Sequence, residues 1–213
     1  MATYNQGLLG GFSGKVGPVV GSTWRGQQVM RSKPKKSKRP PTEAQLLQRL
    51  KLSVAMAFLN PIKPLLLKSF KQFPADKNSF SHALSYHMKE ALEPTPQGFA
   101  IHYPKVLISM GDLRGLENPV LQALPNATLQ LLWENNSHQA AANTTDLLLA
   151  VVYLPDLNVY EVFTNVASRQ DGQALLSLPS NYAGQQAVCW ASFTNVTGAK
   201  NAVSTAFDMV VLV

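Results

Sequence analysis

Four histidines, one cysteine and twelve acidic residues are the side chains on which metal binding or acid–base catalysis would have to rest in this 213-residue chain. His82 and His87 stand five residues apart. Ligands on one helical face recur at three or four residues, so this pair is not a metal motif, and His102 and His138 lie far along the sequence. Cys189 is single, which excludes an intrachain disulfide and a cysteine metal set; in an apolar strand it reads as a small buried side chain. The acids between Asp112 and Asp208 are scattered singly among apolar runs. No nucleophile elbow, HExxH or comparable pattern is present. Gly10-Gly11-Phe12-Ser13-Gly14-Lys15 approaches a phosphate-binding loop, but Val16 stands where Ser or Thr must follow the lysine, and no long apolar strand precedes it. The expectation is therefore a non-enzyme with no catalytic residue, metal or cofactor.

The residues that do cluster suit association. Seven glycines fall between Gly7 and Gly26, interleaved with the β-formers Val16, Val19, Val20 and Trp24. Lys15–Ser22 and Gln27–Ser32 read as two strands of a hairpin joined by a turn at Thr23-Trp24-Arg25-Gly26. A lone hairpin is marginal in water, so it needs a covering surface, from this chain or from another copy. Gly10, Gly11, Gly14, Val16, Val19, Val20 and Trp24 are the candidate assembly residues. Behind them runs Arg31-Ser-Lys-Pro-Lys-Lys-Ser-Lys-Arg-Pro-Pro, with six cations and three prolines in eleven positions, which reads as extended. Arg25, Arg31, Lys33, Lys35, Lys36, Lys38 and Arg39 are candidate contacts to phosphate or to an acidic partner, with Trp24 near enough to stack on a base. Segment 25–51 is thus the candidate nucleic-acid contact.

The block GLLGGFSGKVGPVVGSTWRG, the Arg-Ser-x-Pro-Lys-Lys junction, and PPTEAQLLQRLK followed by FLNPIKPLL resemble an uncharacterised family of basic Bacteroidota proteins of about this length. The resemblance covers residues 4–70 by motif and the remainder by layout. It implies no activity, and no functional residue is carried over from it. Similar glycine-rich, basic, TxxQ-containing N-termini also look like parts of phage-type structural proteins, a lesser likeness.

Further along, Thr42 with Gln45 three residues on forms a capping box opening a helix over 42–59, in which Leu46, Leu47, Leu50, Val54, Met56, Ala57 and Phe58 recur at roughly helical spacing. Residues 62–73 and 78–93 read as two more helices, the last capped by Asn78 or Ser79. Glu93-Pro-Thr-Pro-Gln-Gly reads as a break. Thereafter the period turns to alternation, and strands are expected at 105–110, 127–134, 146–154, 158–164, 173–178, 186–195 and 202–213. Seven strands at that spacing predict an immunoglobulin-like or fibronectin-III-like β-sandwich with Trp133 and Trp190 in its core. Strand 186–194 would turn Val188, Trp190 and Ser192 to one side, and Ala187, Cys189, Ala191 and Phe193 to the other. The expected class is α+β: a glycine-rich arm (1–41), a short helical region (42–103) and a seven-stranded sandwich (104–213).

Charge divides the same way. Residues 1–72 carry thirteen Lys and Arg against one acid, a net +12, and residues 73–213 carry a net −5. Such a chain suits head-to-tail contact with itself, or a basic end on phosphates. The opening MATYNQGLLGG has neither the basic nor the apolar region of a signal peptide, and no apolar run reaches eighteen residues. The expectation is synthesis in the cytosol and no membrane span; an outside or particle-borne location would require a non-classical route. The leading expectation is a self-assembling structural subunit of a filament, phage-like particle or surface assembly. Its alternatives are a nucleic-acid binder and an adhesion or ligand-binding module carried by the sandwich.

Overall fold

The structure is a computed structural model that describes residues 2–3, 12–24, 26–35, 39–70 and 78–213. The chain divides into two compact units, Met1–Gln45 and Leu46–Val213. Segment 46–103 belongs to the same unit as the sandwich.

The first unit is an antiparallel sheet of four strands: β1 (Ala2–Thr3), β2 (Gly14–Val16), β3 (Val19–Trp24) and β4 (Gln27–Ser32), in the order β1-β4-β3-β2. The two-stranded hairpin expected from sequence is therefore incomplete. Gly17-Pro18 makes a two-residue turn inside the first expected strand, with Gly17 at φ +56°. A glycine at positive φ followed by a proline matches the twist that tight hairpins need. Gly26, at φ +78°, lies in the next turn.

Helix α1 (Glu43–Leu59) begins at the end of the first unit and runs into the second, which continues with α2 (Lys63–Ser69) and α3 (Ser79–Glu90). The capping box forms as expected: Gln45 N–H donates to Thr42 Oγ1, and Thr42 N–H to Gln45 Oε1. Asn78 caps α3, its side chain accepting from Phe80 N–H. Positions 71–73 of the second expected helix lie outside the described residues. Glu93–Gly98, read as a break, instead forms a hairpin of β5 (Leu92–Thr95) and β6 (Gly98–Ile101). No single helix among the described residues is long and apolar enough to cross a membrane.

Two sheets follow. One has the order β11-β8-β7, from β7 (Glu117–Leu124), β8 (Thr128–Glu134) and β11 (Gln173–Ser177). The other runs β10-β9-β12-β13, from β9 (Leu147–Leu154), β10 (Val159–Ser168), β12 (Gln186–Thr194) and β13 (Thr205–Ala206), with β14 (Val210–Val211) also pairing β12. In chain order this sets strands one, two and five against three, four, six and seven, the connectivity of a fibronectin-III-like sandwich. The expected strand at 202–213 is broken into β13 and β14.

Two sequence expectations fail for identifiable reasons. Residues 105–110 are not a strand, although Val106 and Ile108 are fully buried. Their backbone groups find partners outside any ladder: Ile108 N–H donates to Ser204 Oγ, the Ile108 carbonyl accepts from Ser69 Oγ, and Met110 N–H donates to the Ser69 carbonyl. The first sandwich strand is instead β7, a segment containing Pro119 in which no strand is expected from sequence. β7 is an edge strand with a register break between Glu117 and Val120 and with Asn118 at φ +44°, the setting in which a strand tolerates proline.

The sandwich sheets differ in how they are buried. β8 and β11 alternate, turning Leu129, Leu131, Trp133, Ala174 and Leu176 inward. β9 and β12 are buried on both faces. Ala187, Cys189, Ala191 and Phe193 join the core between the sheets, whereas Val188 and Trp190 join a second core shared with Phe58, Ile62, Leu66 and Phe80 of the helical region. The expected division of β12 holds, but Trp190, expected in the sandwich core with Trp133, instead faces the helices, which form a third layer.

His87 sits in that helical layer, fully buried. Its Nδ1 lies 2.7 Å from the Ala83 carbonyl and its Nε2 accepts from Leu107 N–H, so both neighbours are satisfied by one neutral tautomer. Burial lowers its pKa. As pH falls below the ordinary value of about 6.5, the unfolded chain takes up a proton that the folded ring refuses; folding stability should therefore drop until the depressed folded value is passed. Urea midpoints from pH 8 to 5 should show this loss, and His87→Gln should flatten the part of the slope due to this ring.

Candidate functional site

Among the described residues, no group of three or more His, Cys, Asp or Glu side chains could hold a metal. Cys189 is fully buried, which pushes its thiol up to about 12 and leaves it a packing residue. The strongest polar cluster is buried as well. Arg169, with no exposed surface, pairs with Asp146 at 3.1 Å, donates to the Gly115 and Arg114 carbonyls and to Asn136 Oδ1, and lies 4.0 Å from the Phe193 ring centre. Trp133 Nε1 donates to the Arg169 carbonyl. Every direction around the guanidinium is filled by protein, which makes this a fastening between the sheets and their connecting loops. Sequence reading treated Asp146 as one scattered acid and did not single out Arg169.

The arm residues sort onto two faces of the first sheet. The register pairs Lys15 with Val20 and Val20 with Arg31, then Ser22 with Val29, then Trp24 with Gln27. Cross-strand partners share a face, so Lys15, Val20, Arg31, Ser22 and Trp24 lie together on one side. Lys15, Arg31 and Trp24 are exposed there. The opposite face carries Gly14, Val16, Val19, Gly21 and Met30. A Cβ on Gly21 would overlap the Phe12 carbonyl and come 2.6 Å from its ring, so glycine is what lets Phe12 lie against the strand. Val16 is largely exposed on the edge strand β2. Lys33, Lys35 and Arg39 are exposed beyond β4. Of the other candidates, Gly10, Gly11, Arg25, Lys36 and Lys38 lie outside the described residues.

α1 carries a feature that its sequence pattern concealed. Ala55, Phe58 and Leu59 are buried, but every residue from Thr42 to Leu50 is exposed. Leu46, Leu47, Leu50 and Leu52 keep 50, 52, 41 and 41 % of their surface accessible. At 3.6 residues per turn, Leu46, Leu47 and Leu50 lie on the side that runs through half-buried Val54 toward buried Phe58, with Leu47 within about 20° of Phe58 around the axis. The expected apolar face is therefore buried toward the C-terminal end of the helix and open along its first two turns. The signal lay in the count: nine apolar positions from Leu46 to Phe58 are more than the buried end of the helix can cover.

The sequence pattern of a family of unknown function, DUF6266, matches residues 11–207. The chain belongs to this family. The DUF6266 match runs from the arm through the helices and almost all of the sandwich. No curated protein matches the chain. Among solved structures, the fn3 domain of human collagen alpha-1(XX) chain is similar at 10 % identity and TM-score 0.36, covering 49 % of this chain and 89 % of that one. The fn3 domain of human contactin 1 is similar at 11 % identity and TM-score 0.32, covering 48 % and 77 %. The chicken CNTN1 FN1–FN3 structure is similar at 8 % identity and TM-score 0.35; the match covers 48 % of this chain and about a third, 32 %, of that one.

Proposed function

We propose that this DUF6266 chain is a non-enzymatic structural protein that self-assembles, with the sandwich as its body and α1 and the arm as its joining elements. The observation that carries the reading is the run of exposed leucines, Leu46, Leu47 and Leu50, in the first turns of α1. An isolated helix of two or three turns is marginal in water, and exposed leucines make it a cost to solubility unless something covers them. A second copy fits best, because a two-fold contact sets one stripe against itself. An antiparallel pairing centred on Leu47 places Glu43 of each copy across from Lys51 of the other, so an acid meets a base at both ends. The edge position of β2 supports the same reading, since among the described residues its outer side carries no paired strand and a sheet can be extended there.

The test is sedimentation velocity on the full chain, free of nucleic acid, beside the double variant Leu46→Glu/Leu50→Glu. The wild type should associate at micromolar concentration, and the variant should associate at least about ten-fold more weakly, as expected when central apolar anchors are lost. A wild type that stays monomeric at high micromolar concentration overturns the proposal. One observation favours a second reading: the arm sheet lines up Lys15 and Arg31 with exposed Trp24 on one face, an arrangement suited to tracking and stacking a single strand. In the same experiment, a monomer that sediments with poly(dT), and releases it steeply with salt, transfers the function to nucleic-acid binding.

A further inference from the structure

A cleft of about 330 Å³ opens in the second unit beside the helical layer. Its walls come from three places: the last turn of α2, the bulged end of β10, and the loop joining β12 to β13. The floor is apolar, formed by Leu65, Leu147 and Leu149. The rim is hydroxyl and amide, from Thr164, Asn165, Thr194 and Thr197 among others, and it carries one charge, Lys68, and no carboxylate.

The walls are built before any ligand arrives. Asn195 braces its own loop: its Oδ1 accepts from Ala199 and Lys200 N–H, and its Nδ2 donates to Thr197 Oγ1. Asn165 adopts φ +59° where β10 slips register between Thr164 and Ser168, a bulge that re-aims side chains at the strand edge. Asn201, almost fully buried, donates from Nδ2 to the Lys68 carbonyl, and Met110 N–H donates to the Ser69 carbonyl. These two bonds satisfy carbonyls at the end of α2, which is the work a lysine in a last turn commonly does. The Lys68 ammonium is thereby released from it, and among the described residues it has no ion-pair partner.

We propose that this cleft binds a carboxylate carried on a short aliphatic chain. The ammonium and the rim donors take the carboxylate, and the leucine floor takes the methylenes. At about 330 Å³ the cleft is at the small end of ligand sites, which limits the occupant to a small molecule or one side chain of a peptide. A polyphosphate would call for several cations, and the lining offers one. A sugar would call for a carboxylate acceptor or an aromatic platform, and the lining has neither.

The test is an amide NMR titration of the full chain with hexanoate, hexanamide and an end-blocked peptide containing one glutamate. Hexanoate should shift the backbone amides of residues 194–201 saturably, and hexanamide should bind about ten-fold more weakly, the loss of one charge-assisted bond. Lys68→Gln should weaken hexanoate to the same degree while leaving the unliganded spectrum unchanged beyond the substitution's neighbourhood. Tighter binding of the peptide than of hexanoate identifies a protein acid as the source; the reverse identifies a free metabolite-sized acid. Equal affinity for hexanoate and hexanamide, an unaffected Lys68→Gln, or no saturable shift in 194–201 overturns the proposal. None of these readouts depends on the oligomeric state, so the assembly proposal and this one stand or fall separately.

Discussion

Replacing Asp146 with alanine is expected to lower the unfolding free energy by about 3–5 kcal/mol. The side chains of Asp146 and Arg169 retain 1 % and none of their surface, so the variant strands a guanidinium where water cannot reach it. The carbonyls of Gly115 and Arg114 still accept from Arg169, but they supply no countercharge. Asp146 Oδ2 also holds Asn143 N–H, which fixes the loop entering β9. Urea unfolding followed by tryptophan emission checks this. The double variant Asp146→Leu/Arg169→Met should recover most of the loss, because the cost lies in the unpaired charge and not in the missing bond. A single-variant loss below about 1 kcal/mol would mean that the pair is dispensable.

Phe58→Ala should cost about 3–5 kcal/mol as well, through lost burial and the cavity it leaves. Phe58 is the point at which the helical layer grips the sheet. Its ring stands 5.4 Å from Tyr153, 5.6 Å from Tyr160 and 6.2 Å from Trp190, in edge-to-face contacts. Tyr160 Oη donates to the Phe58 carbonyl, so the same residue is held from both its side chain and its backbone. Beyond the loss in the urea midpoint, limited proteolysis should cut the variant first between α1 and α2. Phe58→Leu, which keeps an apolar anchor, should cost much less. Equal behaviour of the two variants would locate the grip elsewhere.

Much of the architecture was legible in the chain. The alternation in 128–134, 159–164 and 173–177 reports half-buried strands because each has one wet face, and the side-chain period of a strand is two. Thr42 and Asn78 announce helix starts because their oxygens satisfy backbone donors that nothing else in the sequence can reach. The family resemblance was legible in the glycine block and the TEAQ helix. Residues 105–110 misled because alternation marks a segment with one buried side, whether or not a neighbouring strand exists to pair with it. β7 was not legible because its alternation is interrupted by Pro119 and a register break, which a bulged edge strand tolerates.

The amino-acid order alone determined that catalytic and metal motifs are missing, that the basic charge is concentrated before residue 73, and that a glycine-rich sheet, helices and a sandwich follow one another. These are local matters of residue type and short-range period. Tertiary structure alone decided that β9 and β12 are covered twice, that Arg169 meets Asp146, and that Lys68, Asn165 and Thr197 share a cleft. It also decided which leucines of α1 are spent on the core and which remain open. Each of these joins residues far apart in the chain, or divides neighbours by which face a second layer happens to cover, and no local period records where that layer will land.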